Sequence, residues 1–518
     1  MAFVSRSAII ATTRFGLFLA APGFVALKGG RFDNMAFKPN LVSCEQSVQL
    51  MAPLAVKSHI PKERHLMYRI FRGLIRVGWI CLKLVPGLLA IPFALVSSSV
   101  SRLWWNYTVW VLVSSGPTAI KFAQWVGTRP DIFPDSAIES LSRLHSVGVS
   151  SYSLSDTIAD LDAIYGSENW PVWLELLDDA KLIGSGAIAH VSRGRIIEGS
   201  DSGKEVALKI VHRGVREIIE ADLDIMRFVA WTVSGIPSLA SLDAPGAIDE
   251  FGKFIHSQTN MLTEAENISK FSNKFQNRKH IKFPTIFLSK CRPDILVESF
   301  EEGIPLGDII KNGSIKLKKK TCDLGISAFL KMLFVDNFVH GDLHPGNVLF
   351  QPAVAGTTIA DINNSGVTDG QLLILDCGLV AQLNVRDERN FLDVMHSVVT
   401  GNSLKIGQLM IDRSRSPREN VVDSEKFCAK VAELVDKTVT GRSLIFGGIQ
   451  FGAVITQLLN IARQHHVGLE TSFVSVACAL IVLEGVGKQL DPTRNLLWEA
   501  EPYILRQFLR RAAGMMEE

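Results

Sequence analysis

The spacing of apolar residues changes twice along the 518-residue chain. Up to about residue 180 they recur at helical intervals or fuse into unbroken runs. From 181 to 300 they alternate over short stretches, as half-buried strands do, and beyond Arg386 helical spacing returns. The first zone holds an apolar run at 77–100, broken only by Lys83, whose uncharged part, 84–101, approaches the ~20 residues that span a bilayer. Two readings stay open for it: a buried hydrophobic helix, or a span or monotopic anchor, the latter favoured by Lys62, Arg64, Arg69, Arg72 and Arg76 just before it. A second apolar helix, 103–126, is interrupted at Ser114-Ser115-Gly116-Pro117, and helices are expected at 134–145 and 155–165.

The middle zone reads as strand, glycine turn, strand (181–191), then a turn at 200–203 and a third strand, 204–211. Helices follow at 214–233 and 245–275, and two further strands at 284–288 and 295–300. A helix at 324–338 precedes β-like runs at 348–350 and 372–375, and the polar stretch 352–370 between them reads as a surface loop. Charge bounds the apolar stretches 444–461 and 472–483, so both read as core helices. The fold class expected is α+β. Its parts are a leader (1–32), a basic linker (33–76), the apolar segment (77–101), a helical extension (103–180), a strand-rich lobe (181–303) and a mainly helical lobe (304–518).

Net charge of +2 conceals a division. Residues 1–130 carry 15 Lys and Arg against 3 Asp and Glu, and the remainder carries 39 against 49. A basic front interleaved with apolar runs points to targeting or an anionic membrane surface and away from nucleic acid. Residues 1–31 hold Arg6, Arg14, Lys28 and Arg31 and no acid, the composition of a mitochondrial transit peptide. A secretory signal over 15–21 is the other reading, and the seven scattered cysteines, which suit a reducing compartment, speak against it.

The chemistry gathers at Val339-His340-Gly341-Asp342-Leu343-His344-Pro345-Gly346-Asn347. Asp342, Asn347 five positions on, and Asp376 at the end of a buried strand form a phosphoryl-transfer set. The first Asp orients the attacking hydroxyl, while Asn347 and Asp376 hold magnesium on the phosphates of ATP. Lys209, inside the apolar run Val206-Ala207-Leu208-Lys209, needs an anion to offset its burial. Glu264 is its expected partner, with Glu266 the alternative. Small residues at Gly184-Ser185-Gly186-Ala187, continuing through Ile188, Ala189, His190 and Val191, form a turn whose amides can approach phosphate oxygens. The backbone of Glu301-Glu302-Gly303 is a candidate for reading an adenine edge. Lys121 and Gln124 share a helix face, which taken locally is a solvated face. Metal binding by His340 and His344 is disfavoured, because Gly341 and Pro345 interrupt any helix that would align them.

With these motifs in order, the chain resembles the UbiB/aarF-domain family of atypical kinase-like proteins, most closely its mitochondrial members, over 105–490. The likeness is carried by Gly116 to Gln124 with Thr128-Arg129-Pro130-Asp131, by Gly186 to Val191, Val206 to Lys209, His340 to Asn347 and Asp376-Cys377-Gly378, and by Leu483 to Pro492. The resemblance implies a two-lobed protein-kinase-like fold that uses ATP and Mg2+. It also implies a Lys121/Gln124 helix that regulates access to the site, and a role at inner-membrane lipids beside enzymes of coenzyme Q or related lipid biosynthesis. Within that framework the chain is an ATPase or phosphotransferase. A catalytically silent nucleotide-sensing scaffold and a small-molecule kinase are the alternatives. The chain departs from the family at Ala123, where the helix normally has Gly, at Gln258 and Asn260, where the family has acids, and at Cys377, where Phe is usual. The two lost acids imply a weaker clamp on Lys121.

Overall fold

The computed structural model describes residues 98–127, 153–177, 184–235, 244–414, 421–439 and 451–512, with scattered positions in 78–93, Arg129 and Leu141. The expected leader and linker, most of the 134–145 helix and part of the 77–101 segment lie outside the described residues. The chain divides into two units, 1–108 and 109–518. Within the first, the Trp104 indole donates to Gly87 O (2.8 Å) and the Tyr107 hydroxyl to Lys83 O (2.7 Å).

Helix α1 (Ser98–Ser114) ends where expected, and Gly116 takes φ +105° before α2 (Pro117–Gly127) begins with Pro at its first position. Next come α3 (Leu154–Tyr165), closed by a Ser153/Asp156 capping box, and the single turn α4 (Trp170–Trp173). The sheet of the small lobe is antiparallel. Strands β1 (Leu174–Leu176), β3 (Ala189–Ile196), β4 (Glu205–Val211) and β6 (Ile295–Ser299) lie in that order, with the short β2 (Gly184–Ser185) beside β3. Strand β1 falls in the stretch assigned to the helical extension. At three residues it is too short for alternation to mark it.

Helix α5 (Val215–Ser234) is followed by two helices where one was expected over 245–275: α6 (Ala244–Gln258) and α7 (Met261–Phe275). The break is local chemistry. Asn260 takes φ −107°, ψ 99°, and its side chain accepts the Leu262 N–H, starting a new helix. The buried positions of α7 (Met261, Ala265, Ile268, Phe271, Phe275) then trace one face. The strand expected at 284–288 is also corrected. Only Ile286 bridges to Glu298, and a 3-10 turn occupies Leu288–Lys290. A different strand, β5 (Ile281–Lys282), leaves this region and pairs parallel with β10 (Gly370–Ile374) of the large lobe.

The large lobe opens with β7 (Ile304–Pro305), α8 (Leu306–Asn312) and α9 (Ile315–Phe334). Strands β8 (Val339–His340) and β9 (Val348–Pro352) flank the Asp342 loop. The 352–370 stretch is not all loop. A Thr358/Asp361 capping box starts α10 (Ile359–Ser365), which Gly366 ends in the left-handed region. The four-stranded sheet runs β5-β10-β9-β7, and β8 pairs with β11 (Val380–Ala381). Six helices complete the lobe: α11 (Val385–Val399), α12 (Ser403–Asp412), α13 (Ser424–Val439), α14 (Phe451–Gln464), α15 (Thr471–Leu490) and α16 (Leu496–Ala512). Phe329, Leu330, Phe391, Phe427, Leu459, Val474 and Leu480 fill one core between them. Among the described residues one helix, over Ser472–Leu490, is long and apolar enough to cross a membrane, and half of it is buried in this core.

Fully buried His190 lies under α3, its Nε2 3.2 Å from the Thr157 hydroxyl. Burial, assisted by neighbouring His212, pulls the His190 pKa down from 6.5 to about 4. Between those values the unfolded chain binds the extra proton, so stability is present near neutrality and lost as pH falls from about 6.5 toward 4. On acidification over that range, the wild type should lose about 2–4 °C of Tm more than His190→Leu. Parallel melting curves across pH check this, and equal slopes would refute it.

Candidate active site

Strand register sets the first group. Lys209 stands opposite Val191 on one side and Leu296 on the other, so these side chains share a face of the sheet. Its ammonium meets Glu264 at 2.8 and 3.0 Å and Asp376 Oδ1 at 3.0 Å. Glu264 sits in the first turn of α7, where the helix dipole favours a carboxylate. Glu266 is exposed, which decides between the two candidates. Burial opposes the Lys209 charge, but Asp376 and Glu264 outweigh it and hold the amine well above its ordinary value. Burial likewise opposes the Asp376 charge, and Lys209 and Lys121 hold that carboxyl well below the usual range. Burial pushes Glu264 up to about 7.

Asp376 follows β10 with φ +49° and accepts the Gly378 N–H at 3.3 Å. At Gly378 a Cβ would come within 3.2 Å of Asp376 Oδ1 and 3.4 Å of Glu264 Oε2, so this close approach needs glycine. Asn267, one turn beyond Glu264, donates to Cys377 O at 3.0 Å. Its i, i+3 spacing from Glu264 was the available sequence signal, and it went unread. The Cys377 thiol is fully buried, and burial raises its pKa well above 9.0, so it is poorly placed to react.

The loop carrying Asp342 is braced by a histidine. Buried His340 accepts the Asp342 N–H at Nδ1 (3.1 Å) and donates from Nε2 to Leu375 O (3.3 Å). Burial lowers its pKa, consistent with the neutral ring that these two bonds require. One imidazole thus ties the Asp342 loop to the strand end before Asp376. His344 accepts the Gly346 N–H instead, so the two histidines do not converge on a metal. Asn347 donates from its amide to Asp342 O (3.1 Å), leaving the amide oxygen for a ligand. Among the described residues no three His, Cys, Asp or Glu side chains could hold an ion alone. An Asn oxygen and one carboxylate suit magnesium, which completes its octahedron with phosphate and water oxygens.

The remaining sites divide. Ala189 and Val191 lie on the Lys209 face, whereas His190 and Ser192 turn to the opposite face against Thr157. The His190 side chain is therefore corrected from a nucleotide contact to a brace under α3. Gly184 and Ser185 are strand β2, and Gly186, Ala187 and buried Ile188 form the turn into β3, closed by Gly186 N–H to Ala189 O (2.8 Å) and by a His212 Nε2 contact to Gly186 O (3.0 Å). At the hinge, Glu301 bonds Lys282, Ser299 and Gln351, and Gln351 Nε2 also donates to the Glu302 carbonyl (2.8 Å). A cleft of about 990 Å³ beside the hinge is lined by Phe300, Glu302, Gly303, Leu349 and Gln351 and by none of the catalytic candidates, so it is a separate concavity.

Helix α2 brings Lys121 to this cluster. Burial lowers its pKa against the opposing pull of Asp376 and Asp342. Half-buried Gln124 lies nearly one turn further along. Phe122 and Trp125 pack on Phe251 of α6 at 5.1 and 5.6 Å, and Arg129 pairs with Glu250 at 2.6 Å, fixing the helix. Asn260 is exposed and occupied with capping, while Gln258 Oε1 is buried without a hydrogen-bond partner.

Residues 168–410 match the ABC1 atypical kinase-like domain, and 443–495 match the UbiB helical domain. A mitochondrial ABC1 family protein of Saccharomyces cerevisiae is 32% identical over 472 residues, covering 81% of this chain and 70% of that one. The chain belongs to the ABC1/UbiB family. A second mitochondrial ABC1 family protein, from Schizosaccharomyces pombe, is 30% identical over 81% of this chain and 69% of its own length. The UbiB protein of Aliivibrio salmonicida is 29% identical over 75% and 68%. A solved Mycobacterium tuberculosis protein–erythromycin complex aligns with TM-score 0.47 and 19% identity, covering 77% of this chain and 98% of that one. As an ABC1/UbiB protein the chain has the expected α+β, kinase-like fold.

Proposed function

We propose that the chain is a magnesium-dependent ATPase or phosphotransferase of the mitochondrial inner membrane that supports coenzyme Q or related lipid metabolism. The observation that carries this reading is the Lys209 ammonium held between Glu264 and Asp376, with the Asp342/Asn347 loop braced beside it through His340. Lys209 holds α/β-phosphate oxygens and Glu264 orients it. Asp342 positions the attacking hydroxyl, and Asn347 and Asp376 hold the metal. Bound magnesium supplies neutralisation of the phosphate charge. The protein's share is positioning and preset electrostatics. Mitochondrial placement is supported by the relatives' names and the basic, acid-poor front of the chain. Membrane association is supported by exposed Leu82, Leu89, Phe93 and Leu103.

A nucleotide-sensing scaffold is the second reading. It is favoured by Lys121, whose buried amine faces Asp376 and Asp342 and competes electrostatically for the same groups. The match to the UbiB helical domain weighs against a small-molecule kinase of another family. The purified full chain in detergent should show a thermal shift of several degrees with Mg-ATP and release phosphate. A shift without phosphate release in lipid-containing micelles would favour the scaffold, and no shift would sink both.

A further inference from the structure

Glu298 on β6 is a half-buried acid, one oxygen of it fully enclosed, to which neither the fold nor the phosphate chemistry gives a task. Its partner across the strands is Ala207, and Lys209 pairs with Leu296, so Glu298 stands on the Lys209 face two residues along. That is about 7 Å from the lysine level, toward Phe300 and the hinge. Its Oε2 is buried and has no hydrogen-bond partner. An acid so placed costs stability unless a ligand meets it. Lys209 fixes the phosphate end of a nucleotide, and the hinge backbone bounds the other end, which leaves Glu298 at the level of the base.

We propose that the Glu298 carboxyl reads the nucleobase, pairing with the amino-and-N7 edge of adenine and discriminating against guanine. This rests on the nucleotide site proposed above. Adenine presents an amino donor beside the N7 acceptor, whereas guanine presents two acceptors, O6 and N7. In either protonation state a carboxyl accepts from the adenine amino group, and its neutral form also donates to N7. Against guanine it leaves at least one carboxyl oxygen facing an acceptor, O6 or N7. The facing charged groups are Glu264, Lys209, Asp376 and Glu301, and burial followed by Glu264 pushes Glu298 up to about 8, which favours the neutral, two-way form.

The test is calorimetric binding of Mg-ADP and Mg-GDP to the full-length chain and its Glu298→Gln and Glu298→Leu variants. The wild type should prefer ADP by about tenfold or more. Glu298→Gln, which keeps a donor and an acceptor, should preserve that ratio, and Glu298→Leu should bring it near unity while still binding both nucleotides. An unchanged ratio in Glu298→Leu, or no preference in the wild type, overturns the base assignment alone. A wild type that binds neither nucleotide overturns the nucleotide site itself, and the assignment with it. Should Glu298→Leu fail to fold, Glu298→Ala, which also removes both carboxyl oxygens, takes its place with the same two outcomes.

Discussion

Asp376→Asn should fold normally and lose magnesium-dependent nucleotide binding, with Mg-ATP affinity falling about 100-fold. The backbone imposes no penalty, since Asp376 sits at φ +49° and asparagine is among the few residues at ease in the left-handed region. The amide oxygen can still accept the Gly378 N–H, and Lys209 keeps Glu264. What disappears is a carboxylate held ionised well below its usual range, the hard anionic ligand that magnesium requires. A charge-assisted bond to Lys209 goes with it, and because the Asp376 side chain is 47% exposed, solvent screening holds that loss to about 1 kcal/mol. Titration of the variant with ATP in magnesium and in chelator should give matching affinities. A wild-type difference between the two would remove Asp376 from the metal site. Loss of its negative charge should also draw the Glu264 pKa downward, because Asp376 is one of the groups holding it up.

Lys209→Met should be the most destabilising single change in the cluster, at about 3–5 kcal/mol. It strips the cation from two carboxylates and leaves Glu264, with a side chain only 4% exposed, as an unpaired buried charge. Glu264 then escapes by taking a proton. Already raised from 4.5 to about 7, its pKa climbs further without Lys209. A carboxyl raised in the folded state binds protons that the unfolded chain releases, so the variant should regain stability as pH is lowered from 8 toward 6. Adding Glu264→Gln should recover part of the loss, and urea denaturation of the four-member cycle measures the coupling. If the double variant is no more stable than Lys209→Met, the ion pair is not the source of the cost.

The candidate site was legible because its chemistry is written in short, local spacings: five residues from Asp342 to Asn347, and a lysine in an apolar strand. Glu264 was the expected partner and is the one found, but local spacing alone did not exclude Glu266. The choice depends on where α7 starts, and Asn260 sets that start by capping Leu262. The same cap was hidden by the apolar periodicity running through 245–275, so two helices read as one. Helix α10 was missed although its Thr358/Asp361 box is in plain view, because the Gly, Ser and Asn around it suggest only loop. His190 was assigned with its neighbours as a turn residue. Alternation along β3 puts it out of phase with Val191, and the face that carries Lys209 takes the odd positions. Strands β1 and β5 are set by partners far away in sequence, which no local pattern reports.

The parallel pairing of β5 with β10 changes how the two lobes can move. After α7 the chain leaves the small lobe, is pinned to the large-lobe sheet by the Leu372 N–H to His280 O bond (2.8 Å), returns to β6, and only then passes through the hinge. It thus crosses the cleft three times. A clamshell joined by one strip can gape and twist, whereas one joined at two separate pins swings about a single axis and resists shear. Whatever enters or leaves between the lobes must do so along the one rotation those pins permit.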